Sequence, residues 1–343
     1  MTKAQFKELG QLLSTEKNIV IVPHKNPDGD AIGSVLACYH YLKKKDHNVQ
    51  IVSPNSHPQF LAWLPGADTI YRFDYHNIQS KQAINDADLI FLMDFNTLSR
   101  VGDDMQKTLE AYQGTFVMID HHQEPSDVAK YLFSDTSVCA TAQMFYYFLE
   151  QLGDLSLIDR TIATCIYTGI LTDTGSFRFA STTADTHRIV ANLIDKGADN
   201  SAIYSSIFDQ NTYGRMQLLG VALQNLVVLQ EYNTAYITIT EAEKSAHDFQ
   251  KGDTEGFVNY ALSIKDINFG VIFIEDKEQE IIKISFRSKG NFSVNKFARQ
   301  HFDGGGHDNA AGGRSKQDMK ETVEQFTALL PQYKNEIINS YES

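Results

Sequence analysis

The chain has 343 residues, 42% of them hydrophobic, which is enough to bury real cores and about right for two domains. A charged fraction of 21% excludes a disordered or coiled-coil chain, and a net charge of −13 argues against coating a long polyanion such as duplex DNA. No apolar run is long enough to span a membrane, and three scattered cysteines (Cys38, Cys139, Cys165) without a CxxC exclude a disulfide scaffold and favour a reducing cytoplasm.

The N-terminal MTKAQFKELGQLL reads as an amphipathic helix and lacks the apolar stretch of a signal peptide. NIVIVP (18–23) is a short apolar run suited to a buried parallel strand. Residues 29–45 carry apolar positions at helical spacing and end in three lysines, where the helix dipole favours cations. NVQIVS (48–53), ADLIFLMD (87–94) and GTFVMID (114–120) read as further strands, and 139–152 and 157–171 as buried helices. Strand-helix-strand spacing of this kind predicts an α/β domain with a parallel sheet covered by helices.

The second half reads differently. Residues 183–224 are expected to be helical throughout, with Gly197 as a stop and linker point. Strands follow at 225–230, 234–240, 268–276 and 280–288, with helices at 254–264, 294–302 and 318–330. A short polar turn, Lys277-Glu278-Gln279, predicts that the last two strands form an antiparallel hairpin. The expected layout is a first domain over 1–186, a helical connector over 187–212 and a smaller mixed-sheet α/β domain over 213–343.

Strand and helix ends in the first half finish in metal-type ligands. The first strand runs into His24-Lys25-Asn26-Pro27-Asp28-Gly29-Asp30, the third ends on Asp94, and the fourth ends on Asp120-His121-His122. The helix 157–171 runs into Thr172-Asp173-Thr174-Gly175. Taken singly, each has a bland reading: a satisfied strand-end histidine, a helix cap before residue 31, an Asx-turn at Asp173. Together they would converge on the one crevice where such sheets bind ligands. Carboxylates gathered there repel unless cations neutralise them, and imidazole mixed with carboxylate suits Mn²⁺, Fe²⁺, Co²⁺ or Zn²⁺ better than Ca²⁺. A shared aspartate suits a two-metal site.

Between Lys283 and Lys316 seven basic residues face two acids, a net +5 in an acidic chain. The same window holds Gly304-Gly305-Gly306-His307, which is neither GxGxxG nor a Walker motif. It is read either as a flexible turn or as a place where backbone N–H groups approach a phosphate, with His307 and Arg287 adding donors. Tyr260, Phe257 and Phe302 are read as core or as base-stacking residues, and Arg100 and Arg178 as phosphate contacts or surface ion pairs.

These motifs resemble, in order, those of the DHH phosphoesterases: His24-xxx-Asp28-x-Asp30, Asp94, Asp120-His121-His122 and Thr172-Asp173-Thr174-Gly175-Ser176-Phe177. Ser285-Phe286-Arg287-Ser288 and Gly304-Gly305-Gly306-His307 with Ala310-Ala311-Gly312 look like the associated C-terminal domain. Length and layout resemble the bacterial nanoRNase and pAp-phosphatase group. The resemblance implies one Mn²⁺ on His24, Asp28 and Asp94, and a second on Asp30, Asp94, His121 and Asp173, with Co²⁺ or Mg²⁺ as substitutes. It implies that His122 faces the phosphate, that Asp120 orients the histidines, and that Arg287, Gly304, Gly305, Gly306 and His307 bind substrate. The expected activity is hydrolysis of short oligoribonucleotides or dinucleotides such as pApA to nucleoside 5′-monophosphates, and also of pAp to AMP. A RecJ-type single-strand exonuclease, a phosphohydrolase for pyrophosphate or polyphosphate, and a catalytically silent nucleotide- or RNA-binding regulator are the alternatives. Neither long duplexes nor membranes are expected partners, and a homodimer is expected from family habit alone.

Overall fold

The central strands of the first sheet are buried along nearly their whole length because helices cover both faces. The strands are β1 (Asn18–Val22), β2 (Asn48–Ser53), β3 (Tyr71–Arg72), β4 (Leu89–Met93), β5 (Thr115–Asp120) and β6 (Tyr131–Ser134). Their spatial order is β3-β2-β1-β4-β5-β6 and every pair is parallel. The computed structural model describes residues 1–341, in two compact units that divide after Gln210.

Alternation along the strands feeds two cores. Ile19, Ile21, Phe91, Met93, Val117 and Ile119 pack with α1 (Lys3–Leu12), α2 (Gly29–Lys44), α5 (Thr141–Leu152), α6 (Arg160–Asp173), α7 (Ala184–Asp195) and α8 (Asn200–Phe208). Val20, Val22, Ile90, Leu92, Phe116 and Met118 face the other way, against α3 (Asn77–Asn85) and α4 (Asp103–Ala111). The strand order reverses between β1 and β4, which makes the crevice at their carboxyl ends the expected ligand site.

The second unit holds a mixed six-stranded sheet, β11-β12-β10-β9-β8-β7, in which β8 and β9 run parallel and the other pairs antiparallel. Its elements are α9 (Tyr213–Gln224), β7 (Val227–Leu229), β8 (Thr234–Ile239), α10 (Glu241–Ala246), α11 (Val258–Leu262), β9 (Phe269–Asp276), β10 (Ile281–Ser288), α12 (Val294–His301), β11 (Gly305–His307), β12 (Ala310–Ser315) and α13 (Met319–Ile338). Helices α12 and α13 cover one face through Phe297, Phe326 and Leu330. On the other face, α9 and α11 cover the β8–β9 half. The β10–β12–β11 half of that face carries Lys283, Ser285, Arg287, Gly312, Arg314, Gly305 and His307 in cross-strand register, with only Ile281 and Ala310 as apolar side chains. That half therefore cannot be closed by apolar packing.

Several sequence expectations need correction. The stretch 183–224 breaks at Gly197 as expected, where the backbone turns left-handed and Asp199 caps a fresh start, but it breaks a second time after Phe208, where Thr212 caps α9. The helix expected at 254–264 shrinks to α11, whereas α13 continues through Pro331 to Ile338. Phe257 and Phe302 are core residues; of the three aromatics weighed for base stacking, only Tyr260 is exposed. The short elements β3, β6, β11, β12, α3, α4 and α10 carried too few apolar positions to show a period.

Candidate active site

Each ligand-type side chain is placed by the end of a regular element. His24 follows β1, Asp94 follows β4, and Asp120 closes β5 directly before His121 and His122. Asp173 is the last residue of α6. Asp28 caps α2: its Oδ1 accepts from the N–H groups of Asp30 and Ala31 at 3.1 and 3.0 Å. Its Oδ2 stands 3.8 Å from His24 Nε2, so the cap and ligand readings of Asp28 use different oxygens of one carboxylate.

Asp30 and Asp173 approach because α2 and α6 cross at very short range. A Cβ on Gly29 would overlap Thr172, one on Gly33 would lie 2.6 Å from the Cys165 carbonyl, and one on Gly169 would lie 2.7 Å from Asp30 Oδ1. Asp30 then does the work of a missing cap. Ala140, before α5, has no side chain to satisfy the first N–H groups, and Asp30 accepts from Thr141 and Ala142 at 2.6 and 2.8 Å. The Thr141 hydroxyl donates to Asp94 Oδ1 at 2.8 Å. Sequence reading missed Thr141, although a helix start without a capping side chain is the signal that one is supplied from elsewhere.

Histidine hydrogen bonds fix which nitrogen faces the cluster. His24 Nδ1 donates to the Lys25 carbonyl at 2.9 Å and His121 Nδ1 to the Val138 carbonyl at 3.1 Å, since a carbonyl only accepts. Both Nε2 atoms thus point at carboxylates: His24 at Asp94 (3.5 Å), and His121 at Asp173, Asp94 and Asp30 (3.5, 3.7 and 3.9 Å). Ligands held about 2.1 Å from one ion stand roughly 3.0–4.2 Å apart, so these separations suit ligands around a cation better than direct hydrogen bonds. Two groups emerge, His24-Asp28-Asp94 and Asp30-Asp94-His121, with Asp94 in both. Asp94 itself holds a left-handed φ of 68°, a strained conformation typical of functional sites. A third group joins Asp94 to Asp120 and His122, whose Nδ1 donates to Asp120 Oδ1 at 2.7 Å.

Electrostatics show the same demand for positive charge. Burial, then Asp94, Asp173 and Asp28, push the Asp30 carboxyl well above its ordinary value. Burial also raises Asp173, with Asp28 and Asp94 adding and His121 opposing. Burial disfavours charge on His24, but Asp94 and Asp28 outweigh it and raise the imidazole to about 9. Against its own burial, Asp94 is held far below the carboxylate range by His24, His122 and His121. Among the described residues, no lysine or arginine ion-pairs with Asp28, Asp30, Asp94, Asp120 or Asp173. The donor set therefore fits divalent cations, and His24, Asp28, Asp30, Asp94, His121 and Asp173 are the residues that could hold them.

The remaining sequence candidates lie in the second unit. Arg287 is half-buried on the same sheet face as Lys283 and Ser285; burial lowers its pKa, and Glu255 opposes. Gly304, Gly305, Gly306 and His307 lead into or form β11 rather than a flexible turn. A Cβ at Gly304 would overlap the Gly312 carbonyl, and one at Gly306 would come within 2.5 Å of the Ala310 carbonyl. At Gly305 nothing lies closer than 3.5 Å. Two of the three glycines are thus explained by strand packing, and Gly305 is not.

Residues 18–170 match the family model described as DHH family, N-terminal domain, and residues 231–336 match the DHHA1 domain. A protein of Thermus thermophilus described as bifunctional oligoribonuclease and PAP phosphatase NrnA is 31% identical over 308 residues, 89% of this chain and 86% of that one. The chain belongs to the DHH family. A Bacillus subtilis member with the same description is 26% identical, across 89% of this chain and 91% of that one. The crystal structure of an exopolyphosphatase-related protein from Bacteroides fragilis superposes with a TM-score of 0.94, at 38% identity over 98% of both chains. As a DHH-family member of this type, the chain is a phosphoesterase-type hydrolase. No helix among the described residues is long and apolar enough to cross a membrane.

Proposed function

We propose that this DHH-family protein is a cytoplasmic, Mn²⁺-dependent phosphoesterase that hydrolyses short oligoribonucleotides and dinucleotides such as pApA to nucleoside 5′-monophosphates, and pAp to AMP. The observation that carries the reading is the sharing of Asp94 between two His/Asp groups at the β1–β4 strand-order reversal. Its substrate class is supported by the relatives described as oligoribonuclease and PAP phosphatase, which align along most of the chain. Bound in pairs, Mn²⁺ ions, with Co²⁺ or Mg²⁺ as substitutes, would supply a water acidic enough to attack phosphorus at neutral pH and would offset the phosphate charge.

His24, Asp28 and Asp94 would hold one ion, and Asp30, Asp94, His121 and Asp173 the other. Asp120 fixes His122 through Nδ1, which leaves His122 Nε2 to carry a proton for the leaving oxygen. Thr141 holds Asp94 in its strained conformation and binds Asp30 through its own N–H. In the second unit, Arg287, Gly305 and His307 share one sheet face, beside the half that α9 and α11 cover, and would grip the substrate's phosphates or sugars, with Gly304 and Gly306 shaping the strand.

A Mn²⁺ reaction panel tests the reading: pApA, a five-nucleotide RNA, pAp and pyrophosphate at equal concentration, with Asp120→Ala/His121→Ala as the control. AMP release from the RNA species, absent in the control, is expected. Turnover of pyrophosphate alone would favour the second reading, a phosphohydrolase of inorganic polyanions, to which the exopolyphosphatase-related neighbour points. Absence of turnover on all four would make the protein a binding module.

A further inference from the structure

The loop after α6 spends its backbone inward and offers its side chains outward. Gly175, Ser176 and Phe177 are three consecutive left-handed residues, with φ of 55°, 63° and 65°. For residues other than glycine that conformation is costly and persists only where the surroundings over-determine it. Here they do. The N–H groups of Gly175 and Ser176 donate to the Thr172 and Leu171 carbonyls at 3.1 and 2.9 Å, and that of Phe177 to Thr174 Oγ1 at 3.0 Å. Those of Arg178 and Phe179 both donate to the Thr174 carbonyl at 3.1 Å. Phe177 packs its ring against Tyr167 and His187, with centroids 6.0 and 5.6 Å apart.

With all five N–H groups used, the loop is no backbone nest for an anion. What it presents is the Phe179 ring, 42% exposed, with the Arg178 guanidinium 5.5 Å from its centroid. A lone exposed phenylalanine needs no explanation in general. This one has a place cut for it: a Cβ on Gly175 would lie 2.5 Å from the ring, so the glycine is what lets the ring lie flat across the loop. Gly175 is two residues from Asp173, and two residues span at most about 7 Å. The loop that carries the ring therefore leaves the backbone within about 7 Å of Asp173, a member of the candidate metal cluster.

From this we infer that Phe179, backed by Arg178, is a stacking platform for a nucleobase of the substrate, and so a determinant of preference for nucleotides over phosphates without a base. The inference rests on the phosphoesterase reading for its substrate class. Base–aromatic stacking tolerates any base and adds about tenfold or more to affinity.

Calorimetric binding of AMP and of ribose 5-phosphate to the Mn²⁺-loaded protein tests it without requiring turnover. The wild type should bind AMP about tenfold more tightly than ribose 5-phosphate. Phe179→Ala should abolish that ratio while leaving ribose 5-phosphate binding unchanged, and Phe179→Trp should restore it. Equal binding of both ligands by the wild type, or an undiminished ratio in Phe179→Ala, overturns the inference. A ratio that depends on Phe179 in a protein that cleaves no nucleotide would uphold the platform and sink the proposed activity instead.

Discussion

Thr141 holds Asp94 by its hydroxyl at 2.8 Å, while its own N–H meets Asp30 at 2.6 Å. One residue at the start of α5 thus ties together the aspartate common to both His/Asp groups and a member of the second group. The arrangement also orients Asp94 in a backbone conformation that a free loop would rarely adopt.

Thr141→Val removes the hydroxyl and keeps the shape. Metal affinity or turnover is expected to fall about 10–100-fold, as for other residues that orient ligands, with the fold retained. Thr141→Ser should recover most of it. Metal titration beside a thermal melt reads the two effects apart, and an unchanged affinity in Thr141→Val would remove Thr141 from the site.

His122 and Asp94 should separate chemistry from metal binding. His122→Ala is expected to lose about 10²–10⁴-fold in turnover with metal content kept. Asp94→Ala should lose metal as well, because both His/Asp groups contain it. Metal analysis after dialysis decides; equal metal loss in the two variants would reassign His122.

The helix crossing predicts a contrast between two glycines. Gly169→Ala places a methyl 2.5 Å from Ala142 Cβ and 2.7 Å from Asp30 Oδ1, and overpacking of this kind costs about 1–3 kcal/mol. Gly220, in the interior of α9, has nothing within 4 Å of its would-be Cβ, so Gly220→Ala should stabilise by about 0.4–1 kcal/mol. Denaturant melts measure both. A neutral Gly169→Ala would mean that the α2–α6 contact relaxes easily.

In the second unit, Gly304→Ala should destabilise, because its methyl would overlap the Gly312 carbonyl. Gly305→Ala should melt like the wild type and lose activity only if substrate approaches that strand, as proposed. Arg287→Ala should raise KM with metal content unchanged. A Gly305→Ala variant with wild-type kinetics would confine the substrate grip to Arg287 and His307.

Legibility in the sequence followed the strength of the local signal. Strands β1, β4 and β5 were readable because parallel strands buried on both faces show as nearly unbroken apolar runs, and β2 because only Gln50 interrupts its run. Asp120-His121-His122 was readable as chemistry because three ionisable groups at a buried strand end are costly without partners. Edge strands β3 and β6 were not, since two to four residues carry no period. The glycine cluster was legible as a flexible turn or a phosphate approach, but not as a place where two of its members meet the carbonyls of a neighbouring strand.

The sequence by itself determined the class of the first sheet, the residue types at its strand ends and the family, because each is a matter of local period or of residues adjacent in the chain. Only the tertiary structure decided which of these residues meet. Thr141 reaches Asp94 across 47 positions, Asp30 caps a helix that begins 111 positions later, and His121 finds its orienting carbonyl at Val138. Contacts of that kind depend on how closely α2, α5 and α6 pack on the sheet, a property of three helices at once that no window along the chain contains.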